Sequence, residues 1–490
     1  MNVPTKKLQP GDTFDVSIYV DQKAARAGEA STAVVVPAGA KVEIQLIVSD
    51  HFVVNGSTTT TMTITDEEKS EAKRPFSVTV VPANELPTEV PPSLIATFSY
   101  KGRPSGKVSR TVTIAGVATT ALAAATERVD VREGVAADLT VLITRAVAND
   151  GRQFFCTVRS PLLKKYHKGE PEPWNLPDTA QKIVVGLMNR FTADTITPAM
   201  LLAELRGAGR QLFDASPKIF QQAFWDLIDA TLEIKNIALV TEEPFIPWEL
   251  MVPNRRKNGR REQREQALGT EFSIGRWPIT DGTSPDQHIP LVDSFVVAPA
   301  YVPPLAFALD EAKLVTESFP GEMITPADFN AIERKLGGQG RTIVHFVCHG
   351  EDETEDFVQI IRLENAQTLN SNQILGMDGV DKIFEEKHPF VFLNACEVGR
   401  TTPALVGVGG FAKSFVELGA SAVIAPLWSV KDEIAHTIAQ DFYKRVKDEP
   451  NTPFAEIVRD LRRKAYIPGH AEDTYAAYCF YGDPAACRSI

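Results

Sequence analysis

The sequence predicts a multidomain protein, with an N-terminal all-β sandwich followed by a C-terminal α/β domain built on a mostly parallel sheet. Three observations carry this reading. The chain has 490 residues, about three times a typical domain, so two or three folding units are expected. Up to residue 115 apolar and polar side chains alternate with period two, as half-buried strands require. From about residue 190 short apolar runs alternate instead with helical periodicity, the pattern of a parallel sheet covered on both faces.

The strand signals come in order. Phe14, Val16, Ile18 and Val20 alternate, as do Val42, Ile44, Leu46 and Val48, then Phe76, Val78 and Val80, and finally Val108, Arg110, Val112 and Ile114. Ser57 to Thr65 adds a β-branched run, and Pro82 to Pro92 is proline-rich punctuation. Residues 116–190 read as a linker, a β-hairpin and a connector. An Ala/Thr stretch and a charged run fill 116–136. Strands Leu139–Thr144 and Phe154–Arg159 then meet through Asn149-Asp150-Gly151, a strong hairpin signal, either extending the sandwich or opening a small middle domain. Pro161, Pro171, Pro173 and Pro177 mark the connector. Within 191–490, helices are expected at Met200–Phe213, Ile219–Leu232, Leu309–Phe319, Ala327–Leu336 and Gly410–Leu418. Strands are expected at Ala238–Val240, Ser294–Val297, Thr342–Val347, Phe390–Leu393 and Ser421–Ile424.

Composition excludes several classes. At 43% hydrophobic and 23% charged residues the chain is globular rather than disordered. No apolar run reaches the roughly 18 residues of a membrane span, and Met1 to Lys7 lead into no apolar signal segment. The cytoplasm is the expected compartment. A net charge of −12 argues against direct nucleic-acid binding. The one dense basic run, Arg255, Arg256, Lys257, Arg260, Arg261 and Arg264, reads as a loop. Cys156, Cys348, Cys396, Cys479 and Cys487 contain no CxxC, so free thiols are expected, and no cofactor or metal is required.

Reactive side chains collect where a parallel sheet places its sites, at the carboxyl ends of strands. One strand, from Thr342, ends in Cys348-His349-Gly350, and another, from Phe390, ends in Asn394-Ala395-Cys396. Parallel strands put both tips on one edge of the sheet. A histidine there can act as the base that turns a thiol into a thiolate. The plainer alternative is a buried, inert cysteine and a hydrogen-bonding histidine.

Five stretches in order carry a resemblance: Ile246 to Leu250, His345 to Gly350, Leu393 to Glu397, Ala425 to Asp432, and Tyr475 to Tyr478 with Tyr481 to Pro484. In this order the C-terminal part resembles a CHAT domain, a branch of the caspase-like (clan CD) cysteine peptidases that includes separase. The 47 positions from His349 to Cys396 also match the roughly 50-residue His-to-Cys spacing of caspases. The resemblance implies His349 as general base, Cys396 as nucleophile, and an oxyanion hole from the backbone N–H groups of Gly350 and Cys396. Leu427 to Asp432 resembles the segment lining the arginine pocket of separase, with Ser429 at the first acidic position and Asp432 at the second. That implies cleavage after Arg or Lys; the alternative is that Asp432 caps the helix Glu433–Val446.

The acidic run Glu351 to Asp356, with Asp352 foremost, could attract a basic substrate segment or a divalent cation, or be a solvated loop. The 255–264 run is either a processing loop or a variable surface loop. His345 and Trp248 read as core. The resemblance implies protein substrates and an effector in prokaryotic defence, of the kind found in CRISPR-associated protease cascades. No sensor module is visible, so activation by an upstream protease or sensor protein is expected. The alternative is a catalytically idle scaffold that recruits partners through the sandwich.

Overall fold

The structure, a computed structural model, describes the chain except residues 22–38, 66–68, 88–90, 118–132, 146–150, 192–195, 265, 280–283, 354–357, 397–409, 429 and 490. The N-terminal region is strand-rich and holds several small sheets. Thr59–Thr63, Lys41–Val48, Ser93–Tyr100 and Arg103–Thr111 form a four-stranded antiparallel sheet in that order. Thr13–Val16, Phe76–Val80 and Phe52–Val54 form a three-stranded one. Both sheets feed one core, with Val42, Ile44, Leu46, Ala96 and Phe98 from the first and Phe14, Val16, Phe52, Phe76 and Val78 from the second. Alternation gives no signal for Ser93–Tyr100 because every residue of that strand is buried.

The reason is docking. Ile47 and Ile95 turn away from that core and pack against Phe155 of the C-terminal domain. Gln45 donates to the Gly169 carbonyl at 2.8 Å, and Arg159 donates to the Ser99 hydroxyl. Arg103 is buried, donating to the Glu133 carbonyl and pairing with Asp483, both at 2.9 Å. The N-terminal region is thus seated on its neighbour through a largely polar contact.

Among the described residues, the C-terminal domain is built on one thirteen-stranded sheet. Its strands, numbered within this sheet, are β1 Leu139–Arg145, β2 Gln153–Arg159, β3 Pro171–Asn175, β4 Asn236–Thr241, β5 Ser273–Pro278, β6 Ser294–Val297, β7 Gly321–Met323, β8 Ile343–Glu353, β9 Val358–Arg362, β10 Thr368–Asn370, β11 Phe390–Cys396, β12 Ala422–Pro426 and β13 Tyr478–Tyr481. The order is β3-β2-β1-β4-β5-β13-β12-β11-β8-β6-β7, with β9 and β10 extending from β8. The hairpin β1–β2 pairs into this sheet, parallel to β4. The domain therefore begins well before residue 191, and the expected connector contains β3 and the helix Ala180–Phe191. The Ala/Thr stretch lies mostly outside the described residues.

Apart from the antiparallel strands β2, β3, β9 and β10, the sheet consists of two parallel blocks of opposite direction. β1, β4, β5 and β13 run together, and β12, β11, β8, β6 and β7 run together. They meet at the antiparallel pair β12–β13. A single parallel sheet holding Ala238–Val240 with the later strands was expected; that strand lies in β4 and so belongs to the other block. Two helices cover the second block where it matters most. α1, Ala308–Ser318, and α2, Asp432–Asp448, pack against each other and onto β6, β8 and β11. The buried stripe of α2 is Ala435, Ile438, Ala439, Phe442, Tyr443 and Val446, the i, i+3, i+4, i+7 pattern of an amphipathic helix.

Candidate active site

β8 and β11 run parallel in register from Ile343 opposite Phe390 to His349 opposite Cys396. Neighbouring strands lie about 4.8 Å apart, so the two residues share the last rung of the pair. Both strands extend beyond the expected Val347 and Leu393, because pairing continues through the reactive residues. In chain order the second block runs β6, β7, β8, and β7 and β8 flank β6 on opposite sides. Connections that depart to opposite sides open a crevice at the carboxyl ends of β6 and β8, the usual position of a site in an open α/β sheet. His349 stands at that crevice.

The segment after β6 supplies its wall. The Tyr301 hydroxyl accepts a hydrogen bond from the His349 N–H at 3.0 Å and donates to the Arg362 carbonyl at 2.6 Å. Its ring centre lies 4.3 Å from that of the imidazole. Sequence reasoning missed Tyr301, since nothing in its neighbourhood departs from an ordinary Pro-rich loop.

Gly350 follows His349 and pairs with Ile361, so β8 leaves β11 and continues as a hairpin with β9. Asp352 pairs with Gln359; the loop expected from Glu351 is a strand as far as Glu353. Residues 354–357 and the side chains of Asp352 and Cys396 lie outside the described residues. Among those described, no group of three or more His, Cys, Asp or Glu side chains could hold a metal.

Asp432 does not cap its helix. It is the first residue of α2; Lys431 holds the cap position without a side-chain bond. Its half-buried carboxylate accepts instead from the Phe307 N–H at 3.3 Å. Burial holds this carboxyl above the ordinary range, with the Glu311 charge adding to it. The N–H groups of Phe307 and Ala306 and the His349 charge pull the other way. Asp432 thus lies within electrostatic reach of His349.

Under these groups is a buried polar cluster. Glu311 of α1 accepts from His345 Nε2 at 2.8 Å and from Asn394 Nδ2 at 2.7 Å, and its second oxygen is 3.5 Å from His436 Nδ1. His345 is buried, as expected of a core residue. The missed residue is Glu311, whose signal was present: it sits in the stripe Ala308, Glu311, Ala312, Val315, where a solvated acid has no place.

The remaining thiols are dissimilar to a nucleophile. Burial pushes the Cys348, Cys156 and Cys479 thiols far up, and Cys487 up as well. Cys348, beside His349 in sequence, lies within 3.6 Å of the Val297 carbonyl. Trp248 is core, edge-on to Phe220 and Trp174. Its neighbour Glu249 forms a fully buried ion pair with Arg276 of β5.

The basic run is not a loop. Asn254–Lys257 and Arg260–Gln263 form an antiparallel hairpin turning at Asn258 and Gly259, both with positive φ. Arg255 pairs with Asp229 at 2.6 Å and Glu262 at 2.7 Å and stacks on Trp225, and Arg264 bonds Glu271. Arg256, Arg260 and Arg261 are less tied, and all three are exposed.

The family profile described as "CHAT domain" matches residues 228–482, just over half of the chain. The chain belongs to the CHAT-domain family. The match takes in both blocks of the sheet from β4 onward, and with them every residue of the crevice. Among solved structures, the CHAT protein is similar to one titled "Structure of Protease", at 12% identity and TM-score 0.34, covering 58% of this chain and 69% of that one. It is similar to the Porphyromonas gingivalis RgpB complex of pro- and mature domains, at 13% and 0.37, covering 64% and 78%. A third likeness is to the Saccharomyces cerevisiae separase–securin complex, at 11% and 0.42, covering 70% of this chain but 30% of that one. No curated protein matches the chain. No described helix is long and apolar enough to cross a membrane.

Proposed function

We propose that this CHAT protein is a cysteine endopeptidase in which Cys396 is the nucleophile and His349 the general base. The observation that carries the reading is the shared rung of His349 and Cys396 at the end of two parallel strands beside the crevice. His349 takes the thiol proton, and the thiolate forms a C–S bond to the scissile carbonyl carbon. The backbone N–H groups of Gly350 and Cys396 receive the oxyanion. As the C–N bond breaks, the imidazolium gives its proton to the leaving amine. Water, deprotonated by His349, then releases the acyl group and restores the thiol.

Mass spectrometry of an unstructured peptide library incubated with wild type and with Cys396→Ala tests this. Cuts made by the wild type alone are expected. Equal patterns in both samples, or none in either even after the 255–264 hairpin is nicked with trypsin, would favour a scaffold.

Asp432 supports a preference for Arg or Lys at the cleaved position, since a half-buried carboxylate within electrostatic reach of the base suits a guanidinium. Asp432→Asn is expected to lower kcat/KM for Arg substrates roughly 30-fold or more, the equivalent of about 2 kcal/mol for a lost charged partner. Substrates with an apolar residue there should be cut no more slowly. Because this carboxyl is held above its ordinary range, the preference should be full at neutral pH and fade as pH falls, sooner than an ordinary aspartate would allow. The family resemblance extends the reading to an effector in prokaryotic defence, switched on by proteolysis or by a partner.

A further inference from the structure

One buried carboxylate touches all three elements that deliver the functional residues. Glu311 Oε1 accepts from His345, four residues before His349 on β8, and from Asn394, two residues before Cys396 on β11. Its Oε2 faces His436, four residues after Asp432 on α2. Around His345 and Asn394 the bonds form a closed set, while His436 Nδ1 approaches Oε2 at 3.5 Å without a hydrogen bond. With His345 Nε2–H donating to Glu311, His345 Nδ1 is an acceptor, and the Tyr443 hydroxyl 3.0 Å away is its donor. The Asn394 carbonyl oxygen accepts from the Tyr478 hydroxyl on β13. Buried polar groups satisfied in this way rigidify what they join.

We propose that Glu311 is the positioning residue of the site: acting through His345 and Asn394, it holds the ends of β8 and β11 so that His349 and Cys396 meet. The inference rests on the dyad reading above. The structural alternative is that Glu311 merely keeps a polar core satisfied. The two differ in what a shape-conserving change does. Glu311→Gln keeps a carbonyl oxygen for His345 and Asn394 but removes the charge and presents an amide to His436. Tyr478→Phe removes only the donor behind Asn394, and serves if the first variant folds poorly.

The experiment measures iodoacetamide labelling of Cys396 across pH in wild type, His349→Ala, Glu311→Gln and Tyr478→Phe, with thermal unfolding and, on a cleaved peptide, kcat and KM separately. In the wild type Cys396 should label faster near pH 7 than an ordinary thiol, and His349→Ala should abolish the advantage. Glu311→Gln is expected to cut the labelling rate and kcat roughly 10- to 100-fold, the scale of a small misplacement of reacting groups. KM and the pH profile of labelling should separate this from lost stability: KM stays put, and the labelling profile moves toward that of a free thiol. Tyr478→Phe should move both in the same direction by less. Wild-type labelling kinetics in the folded variants would overturn the positioning role while leaving the dyad intact. If Cys396 reacts no faster in wild type than in His349→Ala, the dyad reading falls and the positioning role with it.

Discussion

Replacing His349 with alanine is expected to lower kcat/KM by about 10²- to 10⁴-fold, the contribution of a positioned general base. The fold should survive it. His349 is the last residue of β8 to pair with β11, and that ladder needs only its backbone. The same change should reveal which thiol is the nucleophile. Cys348 has the better claim by proximity in sequence, yet burial pushes its thiol far up, and it faces the Val297 carbonyl rather than a base. Cys348→Ala should therefore leave turnover within a few-fold of wild type, because an inert buried thiol acts as a small apolar group. A large loss in Cys348→Ala with an intact fold, or none in His349→Ala, would send the mechanism back to its beginning. Peptide turnover assays on the two purified variants decide it.

The largest effect on stability is expected from Glu249. Its carboxylate and the Arg276 guanidinium are both fully buried, and Arg276 also donates to the Pro244 and Ile246 carbonyls. Removing one member of such a pair strands the other charge in a dry interior, and Glu249→Gln should cost about 3–5 kcal/mol in urea unfolding at pH 7. Replacing both with apolar residues should recover part of that loss. A cost below about 1 kcal/mol would mean that the pair is solvated. The acid side has a definite sign. Burial raises the Glu249 carboxyl, and the Arg276 charge more than offsets this, bringing it from 4.5 to about 2. A carboxyl lowered by folding stabilises the native state above its unfolded value, and that stability is lost as pH falls from about 4.5 toward 2. Wild type should lose stability over this range, and Glu249→Gln should lose less.

How much of this was legible follows from what leaves a periodic trace. Ser294–Val297 was readable to the residue because the apolar run Phe295–Val297 opens after Asp293-Ser294 and is stopped by Pro299. Phe390–Cys396 and Ile343–Glu353 were readable as strands but not in their length, since Asn394, His349 and Asp352 look like loop residues until a partner strand pairs with them. Direction was not readable at all: β4 and β6 have the same apolar character yet run in opposite blocks, and only long-range pairing separates them. The β1–β2 hairpin was recognised locally, while its assignment to the C-terminal sheet depends on a parallel contact with Ile237–Thr241, nearly a hundred positions later. In the site, His349 and Cys396 announce themselves as reactive residue types. Tyr301 does not, because its role is a matter of where a loop lies. Glu311 did carry a signal, an acid in an apolar helical stripe, which becomes meaningful only beside its three partners.

The joint between the two blocks has a consequence for how the protein is made. β13 sits in the middle of the sheet, yet it comes from residues 478–481, and its partner rung on β5 is Arg276 opposite Tyr481, 205 positions earlier. On the ribosome, domains consolidate as the chain emerges, at about 5–20 residues per second. For the whole interval between β5 and β13, β5 would be left with an unpaired side, and β12 would join it once residue 426 is made. Such open edges are templates for pairing with the wrong chain. The nascent protein thus passes through a half-finished stage of at least ten seconds or so at those rates, before the strand that bridges its two halves exists. Chaperone dependence, and a yield that falls when translation is slowed between β12 and β13, are what this arrangement entails.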